Sequence, residues 1–170
     1  MARIEKLELE DAKLMGGKFK NFSGRGTDYN REGSRYINVV IPEDSVEELR
    51  SKGWAVKELP PREEGDSSIY FLKVNIRFQD DGGFSDPKIF KGINPENMHK
   101  VTSETVADLD RDEIEHVDMV VRPYNWSRKS GESGVAAYLE EMYVLIKGSR
   151  FTAKYSVAND EDDDEPPFKN

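Results

Sequence analysis

Residues 135–147, VAAYLEEMYVLIK, decide the fold class, because their apolar positions satisfy two periods at once. Val135, Tyr138, Leu139, Met142, Tyr143 and Ile146 fit helical spacing, whereas MYVLIK is rich in the β-branched and aromatic residues that suit a pleated strand. The preceding segment tips the balance. IEHVDMVVRPYNW, residues 114–126, reads as a long strand with Val117, Met119 and Val121 on one face, and SRKSGESG after it has the composition of a hairpin tip. A strand over 135–147 completes that hairpin, with a helix as the alternative on spacing alone. On the strand reading the chain is mainly β.

Working outward, IYFLKVNIRF, residues 69–78, is the clearest strand. Tyr70, Leu72, Val74, Ile76 and Phe78 make its core face. Ile69, Phe71, Lys73, Asn75 and Arg77 make the other, an unusual composition for a plain solvent surface. RYINVVI, residues 35–41, is a β-branched strand ended by Pro42. Asp44 with Glu47, or Ser45 with Glu48, predicts a capping box for a short helix through Val46 and Leu49, closed by Gly53. Residues 3–15 alternate with a slip, Leu7 and Leu9 on one face and Ala12 and Leu14 on the other, which predicts a bulge near Glu10 and Asp11. Trp54–Leu59, KIF (88–90) and Arg150–Tyr155 are expected to be extended, and Thr102–Leu109 a short helix.

A length of 170 residues fits one domain, residues 1–158, followed by a disordered acidic tail, residues 159–170. The absence of cysteine excludes disulfides and thiolate zinc sites and fits a reducing compartment. The N-terminal residues carry charges throughout, and no segment approaches a bilayer span, so a soluble cytoplasmic protein is expected. Net charge is −9, but six acids against Lys169 put −5 of it in the tail. The rest carries only −4.

Within that mildly acidic body, three places set bases beside aromatics, the composition of an electrostatic groove with base-stacking platforms. The first is the loop 18–36, which nets +3 and holds Lys18, Phe19, Lys20, Phe22, Arg25, Tyr29, Arg31, Arg35 and Tyr36. The second is Phe71, Lys73 and Arg77 on the outward face of 69–78. Arg122, Tyr124 and Trp126 form the third, continued by Arg128 and Lys129 into the hairpin tip with no acid between 122 and 129. Taken singly, a tryptophan is more often packing and a strand lysine more often solvation or edge protection. Three coincident clusters favour single-stranded nucleic acid, with the 18–36 loop, long and poor in apolar residues after Phe22, closing over the strand as a mobile flap.

The tail, Asp160, Glu161, Asp162, Asp163, Asp164, Glu165, Pro166, Pro167 and Phe168, has its own logic. A run of acids is usually a solvating end. An apolar residue closing that run adds nothing to solubility, yet it can fill a partner's pocket while the acids meet surrounding Lys and Arg. DEDDDEPPF resembles the partner-docking C-terminal tip of bacterial single-stranded DNA-binding proteins, especially the DEPPF form of actinobacteria. Lys169 and Asn170 depart from it, because the bacterial tips end on the phenylalanine and use its carboxylate. The body, notably KFKNFSG, RYINVVIPED, GWAVKELPPREEGD, YFLKVNIRF and GVAAYLEEMYV, resembles phage- and prophage-encoded OB-fold single-stranded DNA-binding proteins. That resemblance implies an OB-fold-like Greek-key barrel with short inserted helices. It also implies binding with little sequence preference and a role in phage DNA replication or recombination in the bacterial host cytoplasm. Phage or host replication and recombination proteins, a phage recombinase among them, would meet the tail. Homo-oligomerisation and a choice between DNA and RNA stay open.

Enzyme readings find little support. His99 and His116 lack the spacing of a zinc pair, and Asp108, Asp110 and Asp112 begin like an EF-hand loop that then fails at Glu113 and Met119. No phosphate-loop, dinucleotide or nucleophile-elbow motif occurs. No catalytic residue, metal or cofactor is expected. The competing non-enzymatic reading is a DNA mimic whose acidic surface occupies a DNA-processing partner; the +3 loop counts against it.

Overall fold

The alternating segments pair into one sheet in the computed structural model, which describes residues 5–28, 30–78 and 86–147. Tyr29, the expected strand Arg150–Tyr155 and the acidic tail lie outside the described residues. The strands are β1 (Leu7–Leu9), β2 (Lys20–Asn21), β3 (Arg35–Ile41), β4 (Lys57–Leu59), β5 (Ile69–Ile76), β6 (Lys88–Gly92), β7 (His99–Val101), β8 (Ile114–Ser127) and β9 (Ser133–Ile146). One helix, α1 (Glu43–Ser51), and two 3-10 turns, Gly17–Phe19 and Val106–Asp110, complete the described elements.

Residues 135–147 resolve as strand. β9 runs antiparallel to β8 from Ile114↔Ile146 to Ser127↔Ser133, with a register shift at Val120/Val121. β9 is also the centre of the sheet: its first half pairs in parallel with β5 and its second half with β6. The hydrogen-bonded path is β1-β8-β9-β5-β3-β2, with β4 on β5 and β7 on β6.

The slip read near Glu10 and Asp11 is what curls this path. Leu7–Leu9 pairs with Val121–Met119, then Asp11 takes φ 49°, a left-handed conformation that Asp tolerates better than most residues. After the kink Met15 N–H donates to Asn38 O, Val40 N–H donates to Lys13 O, and Leu14 bridges Val39. One short segment thus joins β8 to β3, and the sheet closes on itself as an OB-fold-like barrel. Ile37, Val39, Leu72, Val74, Val117, Val121, Leu139 and Val144 fill the interior.

Three local expectations need correction. The capping box does not form: α1 starts earlier, Pro42 is its N-cap without a side-chain bond, and Glu43 and Asp44 instead place charge beside the positive helix end. Its closure at Gly53 is as expected, with Gly53 N–H on Arg50 O, Trp54 N–H on Leu49 O and φ 103°. Thr102–Leu109 is a turn followed by the 3-10 turn at Val106–Asp110 rather than a helix. The 18–36 segment is no bare flap: Asp110 Oδ1 and Oδ2 accept from Phe22 N–H (2.8 Å) and Ser23 N–H (2.9 Å). Asn21 bonds both backbone groups of Arg25, and Glu32 Oε2 accepts from Gly26 N–H. Short polar side chains supply the order that apolar content does not.

Candidate nucleic-acid interface

Register brings separated residues into a single row. Tyr36 pairs Asn75 across β3 and β5, Asn75 pairs Tyr138 across β5 and β9, and Tyr138 pairs Arg122 across β9 and β8. Directly paired residues project from the same face, so these four cross the outside of the barrel side by side. Each is partly exposed. Tyr36 Oη donates to Lys18 O at 2.8 Å and Asn75 Nδ2 donates to Ala137 O at 3.1 Å, which fixes both side chains. The Tyr138 ring meets Tyr124 edge-on, with centroids 5.8 Å apart.

At one end of the row the hairpin continues the same face. Tyr124 pairs Ala136 and Trp126 pairs Gly134, small partners that leave the rings uncovered from across the ladder. Tyr124 is 59% exposed. A Cβ at Gly134 would lie 2.7 Å from the Trp126 ring, so the indole rests directly on that backbone. The Arg128 guanidinium sits 5.3 Å from the indole centroid and pairs with Glu132 at 3.2 Å, and Lys129 is exposed beside it.

At the other end, Lys73 Nζ lies 4.9 Å from the Tyr36 ring centroid. Burial, and then the neighbouring charge of Lys57, hold the Lys73 ammonium below the ordinary lysine range. An arriving phosphate would relieve that lysine–lysine repulsion. Phe71 shares this face but is 8% exposed, because the Phe19 ring covers it edge-on at 5.6 Å and Lys18 Nζ lies 5.4 Å from Phe19. The outer platform here is Phe19. Between the two ends, Arg31, Arg35, Arg77, Asn75, Phe78 and Tyr138 line a depression of about 420 Å³.

Most of the expected residues therefore converge, and three of the described ones do not. Phe22 is 0% exposed and belongs to the core, so it cannot stack a base. Lys20 pairs Ile37, a core position, and its Nζ donates to Leu109 O at 3.4 Å, away from the row. Arg25 is exposed on the loop outside the depression, and Tyr29 lies outside the described residues. Tyr138 and Lys57 did not emerge from the sequence as contact candidates. The signal for Tyr138 was available, since reading 135–147 as a strand sets Ala136 and Tyr138 opposite Val135, Ala137 and Leu139. Lys57 required the β4–β5 register, Lys57↔Phe71.

Another polar cluster lies at the kink after β1. His116 Nδ1 is 2.9 Å from Asp11 Oδ1 and its Nε2 3.1 Å from Asp118 Oδ1, while Asp118 Oδ1 accepts from Asp11 N–H at 2.7 Å. The hydrogen bond to Asp118 raises the imidazole above its ordinary value of 6.5, helped by the charges of Asp118 and Asp11. This cluster locks the kink that closes the barrel.

A small β barrel with an outward row of tyrosines, amide and arginine, flanked by bases, defines a nucleic-acid-binding β domain. The chain belongs to the family of phage single-stranded-DNA-binding domains, whose sequence model matches residues 1–166. In fold it is similar to the single-stranded DNA-binding protein from bacteriophage Enc34, at 10% identity, TM-score 0.51, over 86% of this chain and 83% of that one. The structure of the Enc34 protein in complex with ssDNA gives 10% identity and TM-score 0.52, over 86% of this chain and 89% of that one. No curated protein matches the sequence.

Proposed function

We propose that this protein binds single-stranded DNA with little sequence preference across the row Tyr36–Asn75–Tyr138–Arg122 and shields it during phage DNA replication and recombination in the bacterial cytoplasm. The observation that carries the reading is the register that sets those four residues side by side between basic surroundings. Aromatic faces accept any base, at about 1–3 kcal/mol per stacked base, and cations along the path release counterions from phosphates. Such binding makes and breaks no bond. Protection follows from mass action, because an occupied strand neither reanneals nor meets a nuclease. Family membership and the fold likeness to the Enc34 protein, which has been solved with ssDNA, support the same reading.

In this reading the tail recruits replication or recombination proteins, with Phe168 entering a pocket and the acids meeting its basic rim. Lys169 and Asn170 favour a partner that reads the side chain rather than a terminal carboxylate.

Fluorescence titration with poly-dT and with duplex DNA tests the binding. Quenching with tight binding is expected for poly-dT and weak binding for duplex. Equal binding to both, or to neither, would sink the proposal.

A further inference from the structure

The depression beside the row has a chemistry distinct from stacking. Arg31, Arg35 and Arg77 converge on it, and among the described residues its lining holds no carboxylate, in a chain of net charge −9. Arg35 is held there from three sides. Its stem lies 3.1 Å from where a Gly24 Cβ would be, its guanidinium lies 5.5 Å from the Phe78 ring centroid, and its Nη2 donates to Ser103 O at 3.4 Å. Gly24 has φ 73°, so both its backbone and its missing side chain suit this approach. Even so, Arg35 Nε is buried with no hydrogen-bond partner. The guanidinium is therefore fixed in place by packing and the Ser103 bond, with donor capacity to spare.

Resting on the single-stranded-DNA reading, we infer that this depression is the seat of a backbone phosphate of the bound strand, with Arg35 as its preorganised anchor and Arg31 and Arg77 as the exposed arms that close on it. Three facts select phosphate over a base. The Phe78 face is already occupied by Arg35, the convergent groups are donors without an acceptor carboxylate, and a planar guanidinium matches paired phosphate oxygens. Because Asn75 and Tyr138 belong to both the depression and the row, a phosphate seated here fixes which bases reach the tyrosines. The seat sets register along the strand, and stacking supplies sequence-tolerant affinity.

The test uses the full chain with poly-dT and with an abasic oligodeoxynucleotide, which keeps phosphates and lacks bases, at low salt. Arg77→Gln and Arg31→Gln alter exposed side chains, so they keep the test valid if Arg35→Gln proves unstable. Lys52→Gln, which removes one charge just after α1 and outside both the depression and the row, is the control. Each arginine variant is expected to weaken both ligands by a similar factor, about tenfold, with quenching at saturation unchanged and Lys52→Gln near wild type. Inorganic phosphate is expected to compete no better than chloride of equal ionic strength. The inference falls if the variants bind the abasic oligomer as tightly as wild type. Loss of quenching amplitude instead of affinity would mark a base pocket and overturn it, and so would strong competition by inorganic phosphate, which would mark a free-anion site. Failure of the wild type to bind poly-dT would be a different result, removing the underlying DNA reading itself.

Discussion

Phe19 and Phe22 stand three residues apart in one glycine-rich loop and end in opposite environments. Phe19 lies on the outer face over Phe71, and Phe22 is sealed in the core beneath the Asp110 carboxylate that holds its backbone N–H. Composition treats the two alike; only tertiary contact separates them. Phe22→Ala is expected to cost about 3–5 kcal/mol of stability in chemical denaturation while leaving the poly-dT affinity of the folded fraction unchanged. Tyr138→Ala should show the reverse, with a small change in unfolding and a loss of about 1–3 kcal/mol in poly-dT binding by titration. Alternation along a strand made the faces of residues 69–78 legible, because Leu72, Val74 and Ile76 are indeed buried. It could not reveal that Phe71 is covered from above, since the covering ring comes from a segment some fifty residues earlier.

At the level of elements, the β8–β9 hairpin was readable because its two strands are long and its tip is local in sequence. The helix α1 was readable through Val46, Leu49 and Gly53, whereas its start was not, because a backbone that turns at Pro42 needs no side-chain cap. The kink between β1 and its continuation was legible as a slip in apolar period, but the ligands that hold it were not. His116 raises its affinity for a proton by lying between Asp11 and Asp118. A group whose folded pKa exceeds its unfolded value stabilises fully below the unfolded value of 6.5, and that contribution fades as pH climbs past the raised value. Wild type should therefore lose more stability between about pH 6 and about pH 8 than His116→Gln does, measured by denaturation midpoints. Parallel pH profiles for the two proteins would remove the kink lock as a titrating element.

For the molecule as a whole, charge is divided rather than averaged. The tail holds −5 of the net −9, leaving a body in which the row and the arginine depression are locally basic. An acid run tethered to such a surface would compete with DNA for it, and salt would screen that competition. Removal of residues 159–170 should tighten poly-dT binding at low salt and change it little at high salt; equal affinity of the two forms at both salts would exclude the competition. The barrel was reached from the sequence by family resemblance, and the three basic-aromatic clusters by composition. What stayed hidden was the transverse row, because Tyr36, Asn75, Tyr138 and Arg122 acquire a common edge only through register across four strands. Cross-strand register depends on turns and bulges, some of which are legible locally, and on distant partners, which are not.

The closure at Asp11 also imposes an order of events on synthesis. Leu7 has its partner at Val121, so its segment waits for more than a hundred later residues before its ladder can form. At elongation rates of about 5–20 residues per second that delay is on the order of ten seconds. Through that interval Leu7 and Leu9 belong to an unpaired edge, and the barrel is completed only after β8 has left the exit tunnel.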